Sequence, residues 1–311
     1  MVKKYVLAID VGGTSIECGL FDWSGNLLST STLNTMEVLQ GDVAEAIAEE
    51  LRRKMDEKRI LLEEVYGLGL GVPGIVDVKN GVVMKAPSLK WNHYPLRKKL
   101  QSLLGIPVYI GNDVNTGLLG EVEAGGLQNV QHAIYMMIGT SIGVGLLLNG
   151  ELYEGQQFSA GEVGYMITDQ SVLHDGLNPA RPGYGFLSSK AGGFGMAYEY
   201  KKKTGNHVSA QELFSLVDKG DDMAKKVVDE AVDQLTSALI NMTVILNPEV
   251  ILLGGGVGRA LSPYLQKIDG NLEKHVPYKP KLRISSMQNH SVLYGAFSLC
   301  RKTGEKHIKD S

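Results

Sequence analysis

Residues 9–16 read Ile-Asp-Val-Gly-Gly-Thr-Ser-Ile, and the tetrad Gly-Thr-Ser-Ile that closes this stretch returns at residues 139–142. In both copies an apolar strand runs into glycine and two adjacent hydroxyl side chains, and a second strand follows over residues 16–22 and 142–148. The pattern predicts two hairpins with tips of small residues. Glycine lets a ligand approach the backbone, and successive N–H groups beside a hydroxyl suit a phosphate oxygen, so the tips predict two clamps on one polyphosphate.

For either hairpin alone the alternative is a tight turn that binds nothing, because short glycine motifs also occur by chance. The repetition favours the phosphate interpretation. In each copy the second strand leads into a small turn, at residues 24–26 and 149–150, and then into a further apolar strand. The sequence thus predicts one supersecondary unit that is used twice.

Length and composition set the class of protein. The chain has 311 residues, which exceeds the size at which a single core usually keeps growing, so two domains are expected. With 43% apolar and 21% charged residues it can form a sizeable core. The formal charge of −3 argues against nucleic acid as the main partner. An acidic protein that binds phosphate is expected to use a divalent cation.

The sequence gives no sign of a membrane or secretory segment. No apolar run approaches the length of a membrane span, and the apolar run before Asp10 is too short for a signal-peptide core, so we expect a cytoplasmic protein. The two cysteines, Cys18 and Cys300, lie far apart and inside apolar patterns, which predicts buried free thiols.

Hydrophobic periodicity predicts alternating strands and helices. Residues 66–72 carry glycine at every second position, so one face of that strand must lie close to another backbone or to a ligand. Residues 155–195 are the least regular and predict a functional or mobile loop. The predicted strands cover 5–32 as a three-stranded meander, 66–72, 75–77, 82–84, 108–110, 133–138, 142–148 and 250–253. The predicted helices cover 43–58, 96–104, 114–124, 193–203, 209–217, 222–246, a segment after 257, and 291–302.

Two segments at strand ends are candidate ligand sites. Asn112 and Asp113 lie between a buried strand and a helix, where active sites of α/β sheets gather, although an N-cap pair is the simpler interpretation. Residues 254–257 read Gly-Gly-Gly-Val in a turn from strand to helix, whose free N–H groups suit a nucleotide. The run Lys201-Lys202-Lys203 is typical of a solvated helix end.

Taken together, six motifs resemble the ROK family of sugar kinases and sugar-responsive repressors. The resemblance implies a duplicated actin-like ATPase (ribonuclease H-like) α/β fold, with ATP and sugar in the cleft between two domains, usually as a homodimer. The domains would cover residues 1–112 with the C-terminal helix 291–311, and residues 113–290. Only nine residues precede Asp10, which leaves no room for the helix-turn-helix of the repressor branch, so we expect a kinase. The motifs, in order, are Asp10-Val-Gly-Gly-Thr, Gly71-Val-Pro-Gly, Gly111-Asn-Asp, Gly139-Thr-Ser-Ile-Gly-Val-Gly, Ala160-Gly-Glu-Val-Gly and Leu253-Gly-Gly-Gly-Val.

The resemblance also implies a role for each matching residue. Asp113 would be the catalytic base, and Asp10 would hold Mg²⁺, directly or through water. The sugar side would comprise Asn112, Glu162 and Gly74. The nucleotide side would comprise Gly12, Gly13 and Thr14 at the β- and γ-phosphates, Gly139 and Thr140 as the second clamp, and Gly254, Gly255, Gly256 and Val257 along the adenosine.

One departure from the family concerns zinc. Most members place His where this sequence has Tyr165, and follow it with a cysteine cluster that binds a structural zinc together with that His. No cysteine lies between Cys18 and Cys300, and His174 alone is no substitute, so we expect no zinc. The loop 168–185 would then be held by its own packing, with contributions from Pro179, Pro182 and Tyr184.

A second departure concerns the substrate. Leu187 stands where the family has a Glu that contacts the sugar near its anomeric hydroxyl together with the His replaced by Tyr165. An apolar and an aromatic residue there favour a carbon substituent on that oxygen. We therefore hypothesise a β-glucoside such as cellobiose or an aryl glucoside, phosphorylated on the 6-hydroxyl of its non-reducing glucose. The alternatives are a kinase of a free hexose or N-acetylhexosamine such as glucose or N-acetylmannosamine, an inert sugar-binding regulator, and an actin-like ATPase.

Overall fold

The computed structural model describes residues 3–173, 185–287 and 290–309, and the chain forms two compact units. The first unit comprises Met1–Asn129, Glu154–Ser159 and Asn289–Ser311, and the second comprises Val130–Tyr153 and Ala160–Gln288. The first unit therefore extends past the predicted boundary at residue 112. It includes the helix that starts at Asp113, because that helix packs against the C-terminal helix.

The first unit is built on a five-stranded mixed sheet. Its strand order is β3-β2-β1-β4-β8, in which β1, β2 and β3 are antiparallel neighbours and β1, β4 and β8 are parallel. Strands β5, β6 and β7 form a small separate antiparallel sheet. The elements are β1 (Tyr5–Val11), β2 (Ser15–Asp22), β3 (Leu27–Asn34), α1 (Thr35–Val38), α2 (Val43–Lys58), β4 (Val65–Val72), β5 (Ile75–Asp77), β6 (Val82–Ala86), β7 (Trp91–Tyr94), α3 (Leu96–Leu104), β8 (Val108–Asn112), α4 (Asp113–Glu123) and the C-terminal helix (Ser291–Lys309).

Local signals explain where these helices begin and end. Asp42 caps α2, since its side chain accepts a hydrogen bond from the Ala44 N–H at 2.9 Å. The same helix ends where Arg59 adopts a left-handed conformation with φ 55°. Helix α3 ends at Gly105, which adopts φ 69° and suits that conformation without strain. The predicted bounds of α2 and α3 are confirmed.

The glycines of β4 lie against the C-terminal helix. A Cβ atom added to Gly69 would lie 1.9 Å from the Ala296 carbonyl oxygen, so only glycine fits there. The same helix meets α4 just as closely, because a Cβ at Gly295 would lie 1.6 Å from the Thr116 carbonyl oxygen. The expectation that one face of this strand lies against another backbone is confirmed. Cys18 and Cys300 are buried free thiols, as predicted.

The second unit repeats the strand pattern of the first. Its sheet has the order β11-β10-β9-β12-β13, in which β9 and β10 form an antiparallel hairpin and β9, β12 and β13 are parallel. The repeated supersecondary unit is therefore confirmed in the topology. The elements are β9 (Ala133–Ile138), β10 (Ile142–Leu148), β11 (Glu151–Leu152), α5 (Phe186–Ala191), α6 (Gly193–Thr204), α7 (Ala210–Asp218), α8 (Asp222–Leu246), β12 (Val250–Gly254), α9 (Gly255–Ala260), α10 (Leu265–His275) and β13 (Lys281–Ile284).

The structure contains elements that the sequence pattern did not predict. Helix α5 lies inside the segment expected to be an irregular loop, and its six residues are too few to show helical periodicity. Strands β7 and β13, each of four residues, and helix α10 were also missed. His174, Pro179, Pro182 and Tyr184 lie outside the described residues. Within the described ranges, no helix combines the length and apolar character needed to cross a membrane.

Candidate active site

The tip of the first hairpin, residues 12–14, joins β1 to β2. The Gly12 N–H donates to the Ser15 carbonyl at 2.8 Å, and the buried Thr35 hydroxyl donates to the Gly12 carbonyl at 2.8 Å. The Thr35 N–H also donates to the Thr14 carbonyl at 3.1 Å. Gly13 and Thr14 are exposed. Thr35 of α1 therefore holds the backbone of this first tip, while Gly13 and Thr14 stay accessible to a ligand, as a phosphate-binding loop requires.

Asp10 lies at the end of β1 directly across from Glu17 on β2. Burial raises its pKa well above the usual range, and the nearby negative charges of Asp113 and Glu17 raise it further. A carboxylate in this position gains from a divalent cation, and carboxylate oxygen is a preferred ligand of Mg²⁺. Asp10 is therefore a chemically suitable ligand for Mg²⁺, and the magnesium site itself stays a prediction.

Asn112 and Asp113 lie at the carboxyl end of β8, and Asn112 is the N-cap of α4. The Asn112 side chain accepts from the Asn115 N–H at 3.0 Å and donates to the Gly74 carbonyl at 2.9 Å. It also donates to Asp113 Oδ1 at 3.0 Å, and the Val114 N–H donates to the same oxygen at 2.9 Å. The capping interpretation is thus right for Asn112, while Asp113 is the first helical residue.

Burial raises the pKa of Asp113 to about 6, although hydrogen bonds from Val114 and Asn112 act in the opposite direction. The side chain is only partly exposed. A carboxylate with this pKa is ionised at neutral pH and accepts a proton more readily than an ordinary aspartate. Its charge also acts on Asp10, which places both carboxylates at the same edge of the first sheet.

Gly74 begins the turn into β5 and adopts φ +92°. A Cβ atom at this position would lie 2.1 Å from the Lys85 carbonyl oxygen, so a larger residue cannot be accommodated. Because its own carbonyl accepts the Asn112 amide, Gly74 holds that side chain in place. This is a structural reason for glycine, and direct contact with a sugar stays a prediction.

The tip of the second hairpin, residues 139–140, is held by the start of α6. The Gly139 N–H donates to the Ser141 carbonyl at 3.0 Å. The Gly193 N–H donates to the Gly139 carbonyl at 2.8 Å, and the Phe194 N–H donates to the Thr140 carbonyl at 3.2 Å. A Cβ added to Gly139 would meet nothing within 4 Å, so the space beside this second tip is open.

A cavity of about 370 Å³ adjoins the second tip, and we call it the α6 cavity. One wall is a face of α6 that presents Phe194 and Tyr198, whose exposures of 53% and 45% are high for aromatic residues. Residues 207–210 also line the cavity. The volume and the aromatic lining suit a nucleoside.

In the Gly-Gly-Gly-Val turn, close packing requires two of the glycines, and the third faces open space. A Cβ at Gly254 would lie 2.5 Å from the Tyr135 hydroxyl, and one at Gly255, where φ is +78°, would lie 2.4 Å from the Ile138 carbonyl oxygen. Gly256 is exposed and faces open space. None of these described residues lines the α6 cavity, but Val257 lies beneath its floor, because a Cβ at Gly193 would lie 3.2 Å from Val257 Cγ2.

The Ala-Gly-Glu-Val-Gly segment is fixed to β10. The Val144 N–H donates to the Gly161 carbonyl at 2.9 Å. Gly161 adopts φ +87°, and a Cβ atom added to it would lie 1.8 Å from the Val144 carbonyl oxygen. Glu162 is the N-cap residue of a 3-10 turn, Val163–Tyr165, and is partly exposed. Tyr165 is 46% exposed and can meet a ligand.

Leu187 requires a correction. Its side chain is 0% exposed and belongs to the hydrophobic core of the second unit. It lies on α5, the short helix that the sequence pattern missed, and that helix turns Leu187 inward against α8 and α6. It therefore presents no surface to a sugar, and the expected apolar contact at the anomeric oxygen is not provided by this residue.

Sequence reasoning missed the wall of the α6 cavity. Phe194 and Tyr198 are four positions apart on a predicted helix, a spacing that places them on one face, and neither belongs to the buried core. Lys201 lines the same cavity, although the sequence suggested only a solvated helix end. Among the described residues no group of three or more His, Cys, Asp and Glu side chains could hold a metal ion, and the expected absence of zinc stays a prediction.

Comparisons with known proteins show the family of this chain. A family model described as ROK family matches residues 6–303. The chain is 25% identical to a β-glucoside kinase of Listeria monocytogenes, over 94% of this chain and 95% of that protein. It is 27% identical to a xylose repressor of Caldicellulosiruptor bescii, over 76% of this chain and 62% of the repressor.

Among solved structures, a ROK hexokinase from Thermus thermophilus superposes with a TM-score of 0.79. The two chains are 29% identical, and the match covers 99% of this chain and 100% of the hexokinase. The predicted fold, a duplicated actin-like α/β ATPase fold, is confirmed by this likeness and by the two matching five-stranded sheets.

Proposed function

The chain belongs to the ROK family, and from this premise we propose that it is an ATP-dependent sugar kinase that phosphorylates the 6-hydroxyl of a glucose unit. The observation that carries the proposal is Asp113. Its carboxylate stands at the carboxyl end of β8, its pKa is raised to about 6, and its charge acts on Asp10. Phosphoryl transfer needs such a base to receive the proton of the attacking hydroxyl.

Other residues would position the donor. The exposed first tip offers backbone N–H groups and the Thr14 hydroxyl to the phosphates, and the second tip offers Gly139 and Thr140. Asp10 would hold Mg²⁺ through water, and the cation would neutralise phosphate charge. The α6 cavity would receive the nucleoside, with Val257 supporting its floor. Because the transition state is loose, positioning and charge neutralisation would supply most of the rate enhancement.

For the acceptor we propose a β-glucoside such as cellobiose. With Leu187 in the core, the support comes from Tyr165, an exposed aromatic side chain at the position where the family has His. An aromatic ring packs well on the apolar face of a sugar or of an aryl aglycone. The similarity to a β-glucoside kinase agrees with this acceptor, and the similarity to a hexokinase favours the alternative, a free hexose or N-acetylhexosamine.

An acceptor panel tests the proposal. ADP release is measured with glucose, N-acetylmannosamine, cellobiose and an aryl β-glucoside as acceptors. We expect the two glucosides to give the highest kcat/KM, and Tyr165→His to shift the ratio toward free glucose. The matched control is Tyr278→His, at another exposed tyrosine of the second unit, which should leave the ratio unchanged. A wild-type preference for glucose or N-acetylmannosamine would contradict the glucoside proposal and leave the kinase intact.

The similarity to a xylose repressor keeps a second function in view, a sugar-binding regulator without turnover. Such a protein needs no carboxylate of raised pKa, which is why Asp113 favours the kinase. A regulator would bind sugars in calorimetry without releasing ADP from ATP. A plain ATPase would release ADP equally with and without sugar.

We also propose that the chain acts as a homodimer. The end of α8 exposes two neighbouring apolar side chains, Val244 at 59% and Ile245 at 78%. We place the interface at this helix end. Light scattering after size exclusion should therefore give twice the chain mass for the wild type, and Ile245→Lys should reduce the measured mass to that of a single chain.

A further inference from the structure

One face of α6 runs the length of the α6 cavity. Phe194, Ala197, Tyr198 and Lys201 all line it, and their spacing of three and four positions places them on a single helical face. Phe194 lies beside the second tip, since its N–H donates to the Thr140 carbonyl. Lys201 is seven positions further on, which is about 10 Å along the helix axis. One end of the cavity thus lies at the second tip, and the other end lies at Lys201.

Among the described residues neither Lys201 nor Lys202 forms an ion pair, and of these two Lys201 is the one that lines the α6 cavity. Lys190 pairs with Glu199 at 3.4 Å, and Lys203 pairs with Glu230 at 2.7 Å. Within the part of the chain that the structure describes, no carboxylate lies within ion-pair distance of Lys201. The lining of the α6 cavity also contains no Asp or Glu. Its ammonium group is therefore available to acceptor atoms of a bound molecule.

Two other polar side chains of the cavity, Ser209 and His207, are less suited than Lys201 to donate to acceptor atoms of a bound molecule. The Ser209 hydroxyl already accepts from the Glu212 N–H at 3.1 Å as the N-cap of α7. His207 also lines the cavity and is exposed, and Lys201 is the one Lys or Arg side chain among the described residues of the lining. Lys201 is thus the fixed cationic donor of this lining, and its three N–H groups can only donate.

A nucleotide whose phosphates meet the second tip extends toward Lys201. Its base then lies against the aromatic rings of Phe194 and Tyr198. Because helical side chains lean toward the N-terminus, the Lys201 stem leans back over the level of Tyr198. Its ammonium group consequently meets the outer edge of the base, at the opposite end from the phosphates.

We propose that Lys201 is a specificity-determining residue for the phosphoryl donor, and that it selects purine nucleotides whose base edge presents acceptors, 6-oxo purines included. This inference rests on the proposed function, because it concerns the donor pocket of that kinase. Guanine and hypoxanthine present O6 and N7 as acceptors, to which lysine donates well, whereas adenine presents N7 beside an amino group. The described lining contains no acidic side chain, the type of acceptor that would most favour the adenine amino group. The donor range therefore includes GTP and ITP besides ATP.

Equilibrium binding without sugar tests this proposal independently of turnover. ADP, GDP, IDP and CDP are titrated by calorimetry into the wild-type protein, Lys201→Met and the control Lys202→Met. Lys202 occupies the next position of α6, about 100° around the helix, and does not line the cavity. Methionine keeps the helix propensity and stem length of lysine, so both variants should fold.

We expect the wild type to bind GDP and IDP within about tenfold of ADP. Lys201→Met should lose about tenfold or more for GDP and IDP while ADP changes by less than about threefold, and Lys202→Met should match the wild type. Equal losses for all four nucleotides would overturn the proposal, because Lys201 would then contact the shared ribose and phosphates. A wild type that binds ADP but neither GDP nor IDP would overturn it as well.

The two proposals fail in different ways. If the nucleotides bind as expected but no sugar supports turnover, the donor selectivity stands and the kinase function fails. If sugars are phosphorylated from ATP but Lys201→Met leaves every nucleotide affinity unchanged, the kinase function stands and the assignment of Lys201 fails.

Discussion

Replacing Asp113 by Asn should increase stability while it abolishes most activity. The two hydrogen bonds to Asp113 Oδ1, from the Val114 N–H at 2.9 Å and the Asn112 side chain at 3.0 Å, can both be accepted by the amide oxygen of asparagine. What the substitution removes is a partly buried negative charge. Burial raises the pKa of this carboxyl from 3.8 to about 6, so the folded protein disfavours its ionised form.

The magnitude follows from linkage between protonation and folding. Because the pKa is higher in the folded state than in the unfolded state, the destabilisation grows as the pH rises above 3.8 and is fully present above about 6. The difference of about 2 pKa units corresponds to up to about 3 kcal/mol at pH 7.5. At pH 4.5 most of the native carboxyl is protonated, and the same reasoning leaves only about 1 kcal/mol. The gain in the free energy of unfolding should shrink accordingly as the pH falls.

Urea unfolding at pH 7.5 and pH 4.5, without nucleotide or Mg²⁺, measures this difference for wild type and Asp113→Asn. The matched control is Asp222→Asn, since Asp222 is likewise the first residue of a helix but is exposed. We expect no gain there, and a loss of about 0.3 to 1 kcal/mol from the helix dipole. Turnover of Asp113→Asn should fall by about two to four orders of magnitude. Equal stability at both pH values, or retained turnover, would refute the reasoning.

Three further predictions follow from the same structure. The logarithm of kcat/KM should fall with unit slope below about pH 6 in initial-rate assays, because Asp113 must be ionised to accept a proton. Leu187→Ala should lower the free energy of unfolding by about 2 to 5 kcal/mol in urea, because it opens a cavity in the core, yet leave the order of acceptors unchanged. Gly255→Ala should lower the melting temperature, since its Cβ would lie 2.4 Å from the Ile138 carbonyl oxygen, whereas Gly256→Ala should be nearly neutral because it faces open space.

Much of the fold could be predicted because local signals agreed with the tertiary structure. Helix α2 has its cap at Asp42 and an apolar stripe, and α8 is similarly capped by Asp221 and ended by Asn247. The repeated Gly-Thr-Ser-Ile tetrad predicted the two hairpins, and each sheet contains one of them. Such elements carry their own boundaries in the sequence.

The missed elements lack signals of that kind. Helix α5 has six residues and depends on packing against α6 and α8. The prediction for Leu187 was wrong for this reason, because residue spacing alone does not distinguish the inward face of so short a helix from a loop. Strand β13 alternates weakly and owes its existence to pairing with β12.

Parts of the candidate site were likewise predicted from the sequence, and other parts were not. The first tip was predicted from its glycine and hydroxyl pattern between two strands, and the role of Asp10 was predicted from the family resemblance. The α6 cavity was not, since Phe194 and Tyr198 looked like ordinary residues of an amphipathic helix. Only their exposure beside the second tip distinguishes them from core residues.

Phosphorus NMR of the reaction products tests the central claim most directly. Wild-type protein is incubated with ATP, Mg²⁺ and cellobiose or glucose, and the spectrum is followed at pH 7.5. The account predicts a new phosphomonoester signal coupled to the two protons on C6 of a glucose unit, growing as ATP disappears and absent with Asp113→Asn. Inorganic phosphate as the only product, or unchanged ATP with every sugar that binds, would contradict it.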